Sequence, residues 1–434
     1  MHFFAGVSLV AALASSLNAL PQMGLFDSPV HIVAHAEPRS TVTLEATARI
    51  DGNRYHSWAS YRADQRGVID VSRDAPLQGS YAGHAPMGLF WSMSPQGSSV
   101  YSRPSLDPID VALTLHARVG VAHATIRRLR ISPDVIREPI RDAPFVGTLF
   151  THRSAKARAI VVVLAGSEGG MDENRAAIIA SHDFDTLALA YFGMGPLPRE
   201  LANIPLEYVN DALTWLQSQP TLATLPVVLE GDSKGAELAL LIAAHNPAVK
   251  GVVAFAPSSQ MFEGLSTHDG KQRASWTWRG DPLPFANNPV PPSVKAAIRA
   301  QRAAHEPISY RNQYVALASP PEDATTIPVE SIRGPVLLLA GADDQLWPSD
   351  IFAQRIMARR RSHGTLFNDE LLLYSRAGHQ IDVPYTPTTG LSVFNEGNFL
   401  LALGGTPSGY ATADADMWPR VLAFLQRVTT QSIR

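Results

Sequence analysis

Ser233 lies in Gly231-Asp232-Ser233-Lys234-Gly235, a G-x-S-x-G run. The apolar stretch 226–229 leads into it and the helix-forming stretch 236–244 follows. A serine at such a strand-to-helix turn projects its hydroxyl above a sheet, over a helix N-terminus that favours developing negative charge. A serine hydroxyl is a weak nucleophile near neutral pH and needs a base to take its proton. Two segments downstream offer the partners. The acidic pair Asp343-Asp344 closes Gly341-Ala342-Asp343-Asp344 after the apolar run 336–340, and His379 follows Gly378 after the run 371–374. Ser, then Asp, then His is the chain order in which a strand-borne nucleophile, its orienting acid and its base occur in a sheet of this kind. The carboxylate would fix the imidazole tautomer. Of the fourteen histidines only His379 has this setting. His31, His35, His84, His182 and His305 read as surface or satisfied core residues. His31 and His35 have no acid close by in the sequence, so no metal site is expected there.

An acyl-transfer intermediate also needs donors for its oxyanion. One is the backbone N–H of Lys234, the residue after the nucleophile; the other comes from the loop after an earlier strand. The run 160–164 followed by Gly166-Ser167-Glu168-Gly169-Gly170 is that loop, and the Ser167 and Glu168 N–H groups are its candidates. No G-K-[ST] follows, so a phosphate loop is excluded. Asp232 is unusual, because a carboxylate beside the nucleophile opposes the oxyanion if it points inward. It reads as turned to solvent or paired with Lys234.

These segments need a scaffold. From about 145 onward, continuous apolar runs at 160–164, 187–191, 226–229, 252–256, 336–340 and 371–374 alternate with helical stretches at 206–216, 236–244 and 350–360. Runs without alternation fit strands buried on both faces, and strand–helix alternation specifies a doubly wound α/β sheet. The interval from 233 to 344 leaves room for an inserted cap. Between about 25 and 140 the period is two: Val42, Leu44, Ala46, Ala48 and Ile50 alternate with mostly polar neighbours, as do Val111, Leu113, Leu115, Ala117 and Val119. That pattern marks half-buried strands and suggests a small β-sandwich. Pro133, Pro139 and Pro144 punctuate an expected linker. Residues 3–20 are uncharged and apolar or small, like the apolar core of a secretory signal peptide, with candidate cleavage sites at Ala14-Ser15-Ser16 and after Ala19. The expected organisation is a signal peptide over 1–20, a sandwich over 25–140 and a catalytic domain over 145–430. A signal would place the mature chain outside the cytoplasm; without one it stays inside.

Composition narrows the function further. A net charge of −3, from 36 basic and 39 acidic side chains, gives no electrostatic case for nucleic acid. With no cysteine there is no disulfide, no cysteine-ligated metal and no cysteine nucleophile. No stretch after residue 20 is long and apolar enough to span a membrane.

Several of these segments together resemble the acyl-CoA thioesterase / bile acid-CoA:amino acid N-acyltransferase family. The resemblance covers nearly the whole chain after residue 25. It rests on Ser80-Tyr81-Ala82-Gly83 and Pro86-Met87-Gly88-Leu89-Phe90-Trp91 in the first half. In the second half it rests on Gly169-Gly170 with Glu173-Asn174-Arg175-Ala176, on Leu206-Glu207-Tyr208, and on the elbow from Gly231 to Leu238. Gly341-Ala342-Asp343-Asp344-Gln345-Leu346-Trp347 and Gly378-His379-Gln380-Ile381-Asp382-Val383-Pro384-Tyr385 complete it. The resemblance implies an α/β-hydrolase fold preceded by an immunoglobulin-like sandwich, with Ser233, Asp344 and His379 as the triad. It implies acyl-CoA substrates, with CoA entering as part of the substrate and no separate cofactor or metal. Serine in place of the family's alternative cysteine favours hydrolysis over transfer to an amino acid. The competing readings are an exported carboxylester or amide hydrolase, an N-acyltransferase, and a non-catalytic binding protein on the same scaffold. Arg127, Arg128 and Arg130 read as a solvated face or as contacts for CoA phosphates. Trp276 and Trp278 read as acyl-pocket lining or as packing of the inserted segment.

Overall fold

The computed structural model describes residues 15–97, 105–153, 157–265, 271–320, 322–365 and 367–431. It divides into two units, Met1–Leu129 with Tyr385–Pro387, and Arg130–Pro384 with Thr388–Arg434.

The first unit is built mainly from antiparallel strands. Thr41–Ile50 pairs with Asn53–Arg62 across the Asp51-Gly52 turn and with Ile109–His116 on its other side. Val121–Leu129 extends the same sheet. A second sheet joins Ser16–Leu20, His31–His35 and Val68–Asp70. The inward residues of the two sheets, among them Leu44, Ala46, Leu113, Leu115, Ile32, Ala34 and Ile69, share one core. Alternation produces this burial because successive side chains of a strand face opposite ways. The second alternating run stops at His116, since Val119 lies in an exposed turn before Gly120. Most of the expected leader, residues 1–14, lies outside the described residues. Its remainder, Ser16–Leu20, is a strand that buries Leu17 and Ala19 against the sandwich, so cleavage after Ala19 would cut an element of the fold. His31 finds an acidic partner that sequence distance concealed: strand pairing brings Asp70 Oδ1 within 3.0 Å of its Nε2. The arginine cluster separates. Arg127 pairs with Asp110 on the surface, whereas Arg128 is buried, donates to the Phe26 carbonyl and lies over the Phe26 and Phe90 rings.

The second unit holds an eight-stranded sheet, labelled here from its own first strand: β1 Val135–Pro139, β2 Val146–His152, β3 Ile160–Leu164, β4 Asp185–Ala190, β5 Val227–Asp232, β6 Val249–Phe255, β7 Val336–Gly341 and β8 Glu370–Tyr374. Their order is β1-β2-β4-β3-β5-β6-β7-β8. β1 and β2 are antiparallel; from β4 to β8 neighbouring strands are parallel. The segment read as a linker is therefore the antiparallel edge of the sheet, where proline is tolerated because an outward N–H is not needed. The helices are α1 Glu173–Ala180, α2 Leu206–Ser218, α3 Lys234–His245, α4 Pro292–Ala303, α5 Arg311–Leu317, α6 Ser349–Ser362 and α7 Pro407–Gln431. All residues of β3 and β4 are buried, as expected for central strands covered on both faces. Between β6 and β7 the chain inserts α4, α5 and the short strand Trp276–Trp278, which pairs with Ile204–Pro205 and Asp281–Pro282. Among the described residues no helix is long and apolar enough to cross a membrane.

Candidate active site

β5 ends at Asp232 and α3 begins at Lys234, leaving Ser233 alone to make the turn. Its φ of 54° is a conformation that non-glycine residues seldom adopt. Close backbone contacts enforce it. A Cβ on Gly231 would lie 2.3 Å from the Gly235 carbonyl oxygen, and one on Gly235 would lie 2.2 Å from that of Leu164. Both flanking glycines are thus required by sterics. The Ser233 N–H donates to the Phe255 carbonyl on β6 at 2.9 Å, which fixes the turn to the neighbouring strand.

Asp344 follows β7 and His379 follows β8, so both stand at the carboxyl ends of parallel strands, beside the elbow on β5. His379 Nε2 lies 3.0 Å from Ser233 Oγ, and its Nδ1 lies 2.9 Å from Asp344 Oδ2. With Asp344 as acceptor, the imidazole carries its proton on Nδ1 and presents a lone pair to the serine. Asp344 is fully buried and also accepts from the Leu346 and Trp347 N–H groups and the Ser349 hydroxyl, at 3.0, 3.2 and 2.6 Å. Asp343 faces elsewhere: its oxygens accept from Gln345 Nε2 and the Gly405 N–H. Burial acts to lower the His379 pKa. The charge and hydrogen bond of Asp344, together with the charges of Asp232 and Glu168, outweigh it, so the imidazole stands above its ordinary value.

The candidate oxyanion donors differ in their surroundings. Lys234 is the first residue of α3, and its N–H has no carbonyl to bond within the helix. In the loop after β3, the Glu168 carboxylate accepts its own backbone N–H and that of Gly166, the latter at 2.9 Å. The Glu168 N–H therefore faces its own side chain, and among the described residues no bond engages the Ser167 N–H. Asp232 is not turned to Lys234. Its carboxyl flanks Gly166, where an added Cβ would meet Glu168 Oε2 at 2.8 Å and Asp232 Oδ2 at 3.4 Å. Burial pushes the Asp232 carboxyl up to about 7. The Lys234 ammonium instead enters the core, 3.1 Å from Glu237, with Ser275 Oγ at 2.8 Å and the Phe262 carbonyl at 3.2 Å. Trp276, buried beside it, donates its indole N–H to Glu237 at 2.7 Å and is core. Trp278 is half-buried against His245.

One group near Ser233 and His379 was not singled out from sequence. Arg175 on α1 is buried and donates to Glu230 on β5 and to Asp382, beyond His379. Glu230 is the sequence signal that points to it: a carboxyl in the run Val227-Val228-Leu229-Glu230, on a central strand, demands a buried partner.

A G-x-S-x-G elbow on the fifth strand of this sheet, with an acid and a histidine after the seventh and eighth, defines an α/β-hydrolase. Residues 204–431 match the family described as BAAT / acyl-CoA thioester hydrolase C terminal, and residues 27–142 match the acyl-CoA thioester hydrolase/BAAT N-terminal region. The chain belongs to this acyl-CoA thioester hydrolase/BAAT family. It is 31% identical to acyl-coenzyme A thioesterase 1 of Homo sapiens over 415 residues, 93% of this chain and 94% of that protein. It is 30% identical to acyl-coenzyme A amino acid N-acyltransferase 1 of Mus musculus over 432 residues, 96% of this chain and 98% of that protein. A putative dienelactone hydrolase from Klebsiella pneumoniae aligns over 67% of this chain and 97% of its own, with a TM-score of 0.39 and 15% identity.

Proposed function

We propose that this protein is a serine-dependent thioesterase that hydrolyses fatty acyl-CoA to fatty acid and CoA. The observation that carries the reading is the continuous hydrogen-bonded chain Ser233–His379–Asp344. His379 Nε2 takes the Ser233 proton as Oγ attacks the thioester carbonyl, while Asp344 holds the Nδ1–H tautomer and stabilises the imidazolium. The Lys234 N–H, with an N–H from the 166–170 loop, meets the oxyanion. Collapse expels the CoA thiolate, which takes the proton from His379. The acyl-serine is an oxygen ester: His379 takes a proton from water as it attacks the ester carbonyl, then returns that proton to Ser233 Oγ as the fatty acid leaves. No cofactor enters the cycle, and CoA takes part only as the leaving group.

Family membership supports CoA as the leaving group, and the absence of cysteine supports hydrolysis over amino-acid transfer. The test compares thiol release from palmitoyl-CoA with p-nitrophenol release from short p-nitrophenyl esters. Preference for palmitoyl-CoA in kcat/KM supports the reading. Turnover of the esters with none of the thioester would instead establish a carboxylester hydrolase.

A further inference from the structure

Arg175 makes contacts that neither proton transfer nor oxyanion binding uses. Its Nη1 lies 3.2 Å from Glu230 Oε1, and its Nη2 lies 2.8 Å from Asp382 Oδ1. Asp172, the N-cap of α1, places Oδ2 3.5 Å from its Nε. The guanidinium lies over the Phe255 ring, 4.2 Å from the centroid. Apart from Asp172, which belongs to the start of α1 itself, each partner is tied to one half of the Ser233–His379 pair. Glu230 lies three residues before Ser233 on β5. Phe255 supplies the carbonyl that accepts the Ser233 N–H. Asp382 lies three residues after His379, and its own N–H is held by the buried Asp414 on α7 at 2.9 Å.

A planar guanidinium with a fixed fork of donors suits this task, because it can bind two acceptors at once in one set orientation. A lysine could not reproduce that geometry. The pull of Asp382, Glu230 and Asp172 outweighs the cost of burial, so the Arg175 charge is stabilised above its ordinary range. Breaking the link at one end leaves a buried guanidinium short of a partner, so the contacts persist as a unit.

We infer that Arg175 is a positioning residue that joins the nucleophile strand to the base loop through Glu230 and Asp382, and so sets the Ser233–His379 distance on which serine activation depends. The inference rests on the triad reading above and deepens it.

A fluorophosphonate probe tests it, because its reaction with Ser233 depends on the Ser–His geometry and not on the acyl group. Asp382 is half exposed on its side chain, so its replacement spares the core. Asp382→Ala should slow labelling ~10–100-fold, the scale on which small misplacements lower rates. Asp382→Asn keeps an acceptor and should fall between Ala and wild type. With palmitoyl-CoA, kcat should fall while KM holds. Arg175→Lys should lower the rate similarly, and the Arg175→Lys/Asp382→Ala protein should be no slower than the slower single variant, since both break one link. Full-rate labelling of folded Asp382→Ala, or losses that multiply in the double variant, would overturn the positioning role alone. Absence of labelling at Ser233 in the wild-type protein would overturn the nucleophile assignment and the positioning role with it.

Discussion

Lys234 follows Ser233 directly, yet its ammonium lies 3.1 Å from both carboxylate oxygens of Glu237 and is sealed in the core. The pair lies beneath the elbow, with Trp276, Ser275 and the backbone of Phe262 completing its hydrogen bonds. Removing one member leaves the other charge buried and uncompensated, at a cost of about 3–5 kcal/mol. Glu237→Ala should therefore destabilise the fold by about that amount in urea unfolding. A wild-type midpoint for the variant would show that the pair contributes nothing net.

Adjacent aspartates differ in what they face. Asp344 holds His379, while Asp343 accepts from Gln345 and Gly405. Asp344→Asn should lower kcat by ~10⁴-fold through the wrong imidazole tautomer. Asp343→Asn should cost far less, because its contacts organise a loop. Steady-state kinetics of the two folded variants check this, and a reversed order would contradict the assignment.

Much of this site could be read in the sequence because each member sits at a strand end. Ser233, Asp344 and His379 each follow an apolar run long enough to mark a buried strand. The alternation at Val42–Ile50 marked a sheet face for the same reason: burial writes its period into the chain. The strand at residues 16–20 could not be seen in the sequence, because Leu17 and Ala19 alternate with Asn18 and Leu20 in a stretch too free of charge to show a solvent face. β1 and β2 were hidden by Pro139, which an edge strand accepts, and by Pro144 in the connection between them. The contacts of Lys234 with Ser275 and of Arg175 with Asp382 join residues far apart in the chain, and no local pattern encodes them.

Asp232 gives a pH prediction. His379 must be neutral to accept the serine proton, so kcat/KM rises with pH through its pKa, which stands above the ordinary value. The Asp232 carboxylate, itself pushed up to about 7 by burial and so ionising over the same range, is one of the contributions that raise it. Asp232→Asn removes that contribution, so the rising limb should move to lower pH. Profiles of kcat/KM between about pH 5 and 9 measure the shift. A limb that stays in place, or moves upward, would show that Asp232 does not act on the base.

Nucleophile identity should govern the fate of the acyl group. A thioester at Ser233→Cys is attacked by amines in preference to water, whereas the oxygen ester at Ser233 favours hydrolysis. With glycine or taurine present, the cysteine variant should give a higher ratio of N-acyl amino acid to free acid from the same acyl-CoA. An unchanged ratio in an active variant would mean that acceptor binding controls the outcome.

The most direct test of the central claim is CoA release from palmitoyl-CoA by wild type and by Ser233→Ala, with the variant's fold checked by circular dichroism. Loss of a triad member costs ~10⁴-fold or more. The account predicts release by wild type and a loss of at least ~10⁴-fold in the folded variant. Release by folded Ser233→Ala at a rate near that of wild type would contradict it.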